Sequence, residues 1–104
     1  MQRIGFVMGL LPGAEAEYRR RYAAVWPEML AELKAAGATN YSIFQRGDDL
    51  FGYLEVDDLR RFQDHLAASE VNARWQADMG ALIDPLTDRV TGFHRRLDEV
   101  FHLD

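Results

Sequence analysis

The apolar residues of this chain change their spacing along the sequence, and that change most constrains the fold. From Gln2 to Leu11 large apolar residues alternate with small or polar ones, a period of two that predicts a strand. The large residues are Ile4, Phe6, Met8 and Leu10. The opposite face carries Gly5 and Gly9, which indicates either that another group approaches the backbone closely or that a helix packs tightly above them.

Helical spacing follows from Ala14 to Ala36. Its apolar residues recur every three or four positions and are Tyr18, Tyr22, Val25, Met29 and Leu33. Pro27 lies inside this pattern and has no backbone N–H to donate to the carbonyl of Ala23. We therefore predict a kink or a restart of the helix near Trp26. Gly37 is expected at the C-terminal cap.

The second half begins with two strands, Thr39 to Arg46 and Leu50 to Val56, joined by the turn Gly47-Asp48-Asp49. A helix follows that Asp57 or Asp58 caps. Another helix begins at Ser69-Glu70. The apolar stripes of these helices are Leu59, Phe62 and Leu66, then Val71, Trp75, Met79 and Leu82.

The end of the chain is expected to complete one sheet. Pro85 ends the last helix, Asp84 to Arg96 is polar and is predicted to be loop, and Glu99 to Leu103 is predicted to be a final strand. The order strand, helix, strand, strand, helix, strand predicts an α+β ferredoxin-like sandwich in the single domain 1–104. Both helices would lie on one face of the sheet. A second copy is expected to cover the other face, forming a dimeric α/β barrel.

Composition excludes several classes of function. Twelve basic against seventeen acidic residues give a net charge of −5, which argues against a nucleic-acid partner. The absence of cysteine excludes disulfides, thiolate catalysis and iron–sulfur clusters. No apolar run approaches the roughly 20 residues of a membrane span. The first strand begins at Gln2, leaving no room for a secretory signal, so we expect a soluble cytoplasmic protein.

The polar residues do not form a familiar catalytic motif. The spacing of His65, His94 and His102 places no two on one helix face, so no metal site is predicted. There is no nucleophile elbow and no dinucleotide-binding fingerprint. His102 is interpreted as an ordinary strand residue.

Aromatic residues offer the strongest candidate site. Tyr18, Tyr22 and Trp26 are four residues apart and so stack along one side of the first helix. Tyr41 and Tyr53 lie on neighbouring strands. Trp75 on the last helix is flanked by Arg74, Gln76 and Asp78. Rings with a few directional polar groups suit a neutral, hydroxyl-rich ligand, although such stripes also commonly fill a core.

Five segments resemble one family in register over essentially the whole chain. They are EYRRR at 17–21, WPE at 26–28, NYSI at 40–43, VNARW at 71–75 and EVFHL at 99–103. Together with the opening strand, they are similar to the L-rhamnose mutarotase family. The resemblance implies a dimeric ferredoxin-like enzyme without a cofactor that interconverts the α and β anomers of L-rhamnose. Some relatives are assigned to L-fucose.

The resemblance also implies roles for particular residues. Tyr18, Tyr41 and Trp75 would hold the sugar, with Gln76 lining the same pocket. The family's usual general acid is a histidine at the position of Tyr22, and its rhamnose enzymes often carry a second tryptophan at the position of Gln76. We therefore expect Tyr22 to donate a proton or hydrogen bond to the ring oxygen.

Other interpretations of the sequence stay open. The spare titratable groups Glu28, Glu55 and His102 are candidates to share the proton transfers. A dimer that binds sugar without catalysis would fit the loss of the histidine. A cofactor-free monooxygenase of the dimeric α/β-barrel type has only fold analogy behind it.

Overall fold

The computed structural model describes residues 1–84 and 95–104. These ranges contain four strands and four helices. In chain order they are β1 (Gln2–Gly9), α1 (Glu15–Tyr22), α2 (Pro27–Ala35), β2 (Thr39–Arg46), β3 (Asp49–Val56), α3 (Leu59–Ala67), α4 (Glu70–Gly80) and β4 (Arg95–Leu97). The strands form one antiparallel sheet in the order β2-β3-β1-β4. The predicted α+β ferredoxin-like order is confirmed, with each predicted helical region divided into two helices.

One face of the sheet is buried against the helices. Its alternating large residues form the core with side chains from α3 and from the end of α2; they include Ile4, Phe6, Leu54, Val56 and Phe62. A second cluster joins α1, α2 and α4 to the other end of the sheet around Tyr18, Met29, Leu50, Trp75 and Met79. The period of two in the strands therefore separates core from surface as expected.

The glycine that the packing most requires is Gly52, which faces Phe6 across the β1–β3 pairing. Phe6 is only 1% exposed, and a Cβ atom at Gly52 would lie 2.1 Å from its Cζ atom. The ring thus lies directly over the Gly52 backbone. By contrast, a Cβ at Gly5 would make ordinary contact with Leu97, and one at Gly9 would lie 3.3 Å from the Cβ of Asp84. The groups beside Gly5 and Gly9 are therefore β4 and Asp84, not the helix considered as an alternative.

Pro27 divides the first helical region as predicted. Trp26 has φ −56° and ψ 134°, an extended conformation, and Pro27 is the first residue of α2. Proline disfavours helical backbone in the preceding residue and is well tolerated at a helix start, so the chain ends α1 at Tyr22 and restarts. The following helix ends as expected, because Gly37 has the left-handed φ of +103°.

The caps of α3 and α4 are also confirmed. The Asp58 side chain accepts a hydrogen bond from the N–H of Arg61, and that of Ser69 accepts one from the N–H of Asn72. Ser69 also donates to Glu32 of α2 over 2.8 Å, and Glu32 pairs with His65 of α3. The hydrogen bonds from His65 and Ser69 lower the pKa of Glu32. This carboxylate therefore links three helices.

The chain terminus differs from the prediction. Glu99–Leu103 is not a strand; the edge strand is Arg95–Leu97, which lies partly in the predicted loop and pairs with β1. The remaining predicted loop residues 85–94, with Pro85 and His94, lie outside the described residues. Val100, Phe101 and Leu103 are 94%, 79% and 80% exposed, because no strand of the described chain lies beside them to pair with or cover them.

Two further observations concern the molecular surface. Phe44, Phe51 and Leu97 are 66%, 42% and 49% exposed on the sheet face opposite the helices. That face therefore exposes apolar side chains among the described residues, as the sequence predicts. Within residues 1–84 and 95–104, no helix has the length and apolar character needed to cross a membrane.

Replacing Gly52 by alanine tests the packing of Phe6. The new methyl group would overlap the ring, so we expect Gly52→Ala to lower the free energy of unfolding by about 1–3 kcal/mol, the usual cost of overpacking a core. Urea unfolding followed by circular dichroism measures this. Gly5→Ala is the matched control in the same sheet, because its Cβ meets nothing closer than 3.7 Å. Equal stability of the two variants would contradict the argument.

Candidate active site

Four aromatic rings from α1, α2 and α4 make one continuous cluster. The Tyr18 and Tyr22 ring centroids are 4.7 Å apart, and Tyr22 meets Trp75 edge to face at 5.5 Å. Trp26, immediately before α2, meets Trp75 in the same manner at 5.1 Å. The Arg74 guanidinium lies over the Trp26 ring, 5.9 Å from its centroid. The phenols of the opening helix and the indole of α4 therefore converge.

Residue spacing along α1 explains the contact between the two tyrosines, but not the contact of Trp26 with Trp75. Tyr18 and Tyr22 are one helical turn apart, so their rings meet on one side of α1. Trp26 lies beyond the end of that helix, so the predicted stack of three rings along α1 is correct only for the two tyrosines. The extended backbone before Pro27 instead directs Trp26 to Trp75.

One groove joins the cluster to β2. Tyr18, Tyr22 and Trp75 line it together with Tyr41 and Gln76. Tyr41 packs against Phe6 with ring centroids 6.2 Å apart, which places it on the helix-facing side of the sheet. Every residue proposed from the sequence to contact the sugar thus lines the same groove.

Burial differs sharply within this group. Tyr18 and Trp75 are 4% and 5% exposed, whereas Tyr22 is 36% exposed. Gln76 lies on the exposed side of α4, where its Nε2 donates to Oδ1 of Asn72 at 3.3 Å. The buried rings therefore form the interior of the groove, while Tyr22 and Gln76 lie where a ligand can reach them from solvent.

The phenols of the groove are held in their protonated form. Burial, and then the neighbouring Tyr22, raise the pKa of Tyr18. Burial likewise raises the pKa of Tyr22, although hydrogen-bond interactions with the Trp75 and Tyr18 side chains lower it in part. Burial also raises the pKa of Tyr41. All three groups can donate a hydrogen bond at neutral pH, and none is a ready base.

In the described part of the chain, Nε2 of Gln63 in α3 is buried without a hydrogen-bond partner. The Tyr18 hydroxyl is also buried and interacts with the Tyr22 phenol, without ordinary hydrogen-bond geometry. Both residues line the groove. A buried polar group without a partner is unusual in a folded protein and calls for an explanation such as a ligand.

The arginine beside Tyr22 is occupied elsewhere. Arg21 pairs with Glu17 at 2.8 Å and donates to the backbone carbonyl of Asp78. Arg20 pairs with the same carboxylate, and hydrogen bonds from Arg20 and Arg21 lower the pKa of Glu17 to about 2. Arg21 is therefore engaged by Glu17 and by the Asp78 carbonyl, and neither of these contacts is with the Tyr22 phenol.

Three spare titratable groups and one tyrosine lie outside the groove lining. Glu55 accepts hydrogen bonds from Tyr53 and Asn40 at 2.7 and 2.6 Å on the opposite sheet face. His102 pairs with Asp104 in the terminal segment, and Glu28 is exposed on α2. The suggestions that Glu28, Glu55 or His102 share the proton transfers, and that Tyr53 joins the aromatic site, therefore receive no support from their positions.

The site also contains residues that sequence reasoning missed. Asn72 precedes Gln76 by one helical turn, a spacing that could have revealed the pair. Arg19 reaches from α1 to Gln45 of β2, a contact between distant segments with no local signal. In the described ranges, no group of three or more histidine or acidic side chains could hold a metal ion.

Comparison with known proteins identifies the family. The model of the L-rhamnose mutarotase family matches residues 3–103. The chain belongs to the L-rhamnose mutarotase family. It is 39% identical to an L-rhamnose mutarotase from Oceanobacillus iheyensis, with both chains covered completely.

Solved structures agree with the fold. An L-rhamnose mutarotase from Formosa agariphila is similar with a TM-score of 0.82 and 27% identity, covering all of both chains. A tetracenomycin F2 cyclase from Streptomyces glaucescens shares the fold with a TM-score of 0.66 at 20% identity, covering all of this chain and 98% of that one. Since proteins with such different names share this backbone, the side chains of the groove must carry the chemistry.

Removing the Tyr18 hydroxyl tests how weakly it is hydrogen-bonded in the free protein. We expect Tyr18→Phe to raise the free energy of unfolding by about 1 kcal/mol, because a buried hydroxyl without ordinary hydrogen-bond geometry no longer has to be desolvated. Urea unfolding measures the change. In the control, Tyr53→Phe deletes a hydroxyl that donates to Glu55 and should lower stability. Destabilisation by Tyr18→Phe would show that the interaction of this hydroxyl with Tyr22 is a stabilising hydrogen bond.

Proposed function

We propose that this protein is a mutarotase that interconverts the α and β anomers of L-rhamnose. The main structural support for this proposal is that Tyr18, Tyr22 and Trp75 converge in one groove, which Tyr41 and Gln76 also line. A stacking surface surrounded by hydroxyl and amide groups is complementary to a sugar, whose C–H faces are apolar and whose edges carry hydroxyls. Membership of the family supports the same substrate and reaction.

Opening and closing the sugar ring requires two proton transfers. One proton passes from the anomeric hydroxyl to solvent water while another is delivered to the ring oxygen, and closure on the opposite face reverses both steps. A positioned acid or base typically contributes about 10²–10⁴ in rate. We assign the delivery to the ring oxygen to Tyr22, a partly exposed residue of the groove whose phenol is buried enough to raise its pKa.

The raised pKa of Tyr22 decides which role it can take. Burial favours the neutral phenol, so the proton is present throughout the neutral range and can be shared with an oxygen that becomes basic as the ring opens. The same shift makes the phenolate scarce. Tyr22 therefore acts as an acid or hydrogen-bond donor, and is a weaker catalyst than a histidine whose pKa is near 6.5.

The remaining residues bind the sugar. Trp75 provides the stacking surface, and Tyr18, Tyr41 and Gln76 pair with hydroxyl groups. We rank L-rhamnose first because of the family to which the chain belongs. L-Fucose is second, because the glutamine at position 76 offers directional hydrogen bonding where an aromatic residue would stack, which changes how the sugar is held. Neither proton transfer needs a metal or redox group, so we propose a cofactor-free reaction.

The assembly we propose is a homodimer in the cytoplasm. The exposed side chains of Phe44, Phe51 and Leu97 on the open sheet face form the apolar surface that a second copy would cover. Analytical ultracentrifugation tests this proposal, and a single species of 11.9 kDa at micromolar concentration would exclude it.

Exchange NMR tests the activity directly. Magnetisation transfer between the two anomeric proton signals of L-rhamnose, and separately of L-fucose, is compared with and without the protein. Faster exchange of L-rhamnose supports the proposal. Sugar binding without faster exchange would identify a non-catalytic binding protein, which is the second candidate because Tyr22 replaces the better proton-transfer group.

Substitution at position 22 tests the assigned acid. We expect Tyr22→Phe to lower kcat by about 10²-fold, since it removes the donor and keeps the ring, while Tyr22→His raises kcat above that of the wild type. Exchange NMR at saturating sugar measures both. An unchanged kcat in Tyr22→Phe would remove Tyr22 from the mechanism.

The pH profile provides an independent test. The pKa of Tyr22 lies above that of free tyrosine, near 10, so its proton is lost only well above neutrality. We expect kcat of the wild type to change little between about pH 6 and 9, whereas kcat of Tyr22→His changes near pH 6.5. A wild-type transition near pH 6.5 would point to another acid.

A further inference from the structure

Gln63 lies in the middle of α3. It is half-buried and lines the groove. Neither the proposed reaction nor the family resemblance assigns it a role.

The glutamines that line the groove differ in whether their side chains are hydrogen-bonded within the protein. Gln2 accepts a hydrogen bond from the N–H of Leu59 at 2.7 Å, and Gln76 donates to Asn72. Gln45 is paired at both ends, since it accepts from Arg19 and donates to the Gly47 carbonyl at 2.9 Å. The Nε2 atom of Gln63 is buried and has no partner among the described residues.

This unpaired amide has a cost in the free protein. A buried donor without an acceptor loses its hydrogen bonds to water and gains nothing in return. An unpaired donor on a groove is what a site built for a hydroxylated ligand contains before the ligand binds.

We propose that Gln63 is a substrate-binding residue whose side-chain amide hydrogen-bonds a hydroxyl of the sugar in the groove. This inference rests on the proposed function. An amide offers both donors and an acceptor, and so matches a hydroxyl group, which does both. The unpaired Nε2 of this groove-lining residue is available to pair with such a hydroxyl.

The test compares Gln63→Leu with wild type. We expect KM for L-rhamnose to rise about ten-fold, since one hydroxyl of the bound sugar loses its partner, while kcat stays within about two-fold. The melting temperature of the free variant should rise, because an unpaired buried amide is removed. An unchanged KM would overturn the proposal, whatever the melting temperature.

Two further variants make the comparison specific. Gln2→Leu is the matched control, because that glutamine lines the groove, is already paired with the N–H of Leu59 and has no assigned role in binding, so its KM should equal the wild-type value. Gln63→Glu keeps the side-chain shape but replaces the amide donor by a carboxylate, and its KM should also rise. A rise in KM for Gln2→Leu as large as that for Gln63→Leu would contradict a specific role of Gln63.

Side-chain amide resonances separate this inference from the proposed function. The ¹H–¹⁵N signals of Gln63 are assigned by their absence in Gln63→Leu, and L-rhamnose is then added to the wild type. A shift of these signals supports the contact even if the protein does not accelerate anomer exchange. If exchange is accelerated and these signals stay unmoved, the proposed function stands and the contact is excluded.

Discussion

Trp75 holds together the elements that form the groove. Its ring meets Tyr22 of α1 and Trp26 before α2, both edge to face, from the buried side of α4. Such contacts add directional attraction to the burial of large apolar surfaces. This geometry depends on the helix break, because an uninterrupted helix would carry Trp26 along the side of Tyr22 and not to Trp75. One proline therefore shapes the site by setting the backbone of the tryptophan before it.

The chemistry of the groove follows from its burial. Apolar surroundings keep the phenols of Tyr18, Tyr22 and Tyr41 protonated, which suits hydrogen-bond donation to sugar oxygens and opposes proton abstraction. The same burial leaves the Gln63 amide nitrogen without a partner among the described residues. A free protein that retains such groups sacrifices some stability, and a ligand that pairs them recovers it. The same buried groups thus lower the stability of the free protein and favour binding of a ligand.

Much of the fold was predictable because its signals are local. The strand Thr39–Arg46, the break at Pro27 and the Asp58 and Ser69 caps depend on backbone chemistry within a few residues. The terminal strand was wrongly predicted because alternation alone does not provide a neighbour to pair with. The sequence could not separate Tyr53 from Tyr41, because two strand positions look equivalent until the pairing register assigns each to a face of the sheet.

The sequence by itself determined the periodicities, the helix boundaries and the residue types that mark this family, since each of these is written in short-range spacing. Tertiary structure alone decided that Trp75 meets Tyr22 and Trp26, that Phe6 lies over Gly52, and that Gln63 remains unpaired while Gln45 is satisfied. Those outcomes depend on contacts between segments far apart in the chain. The pairing of a buried group is a property of its surroundings, which no local pattern encodes.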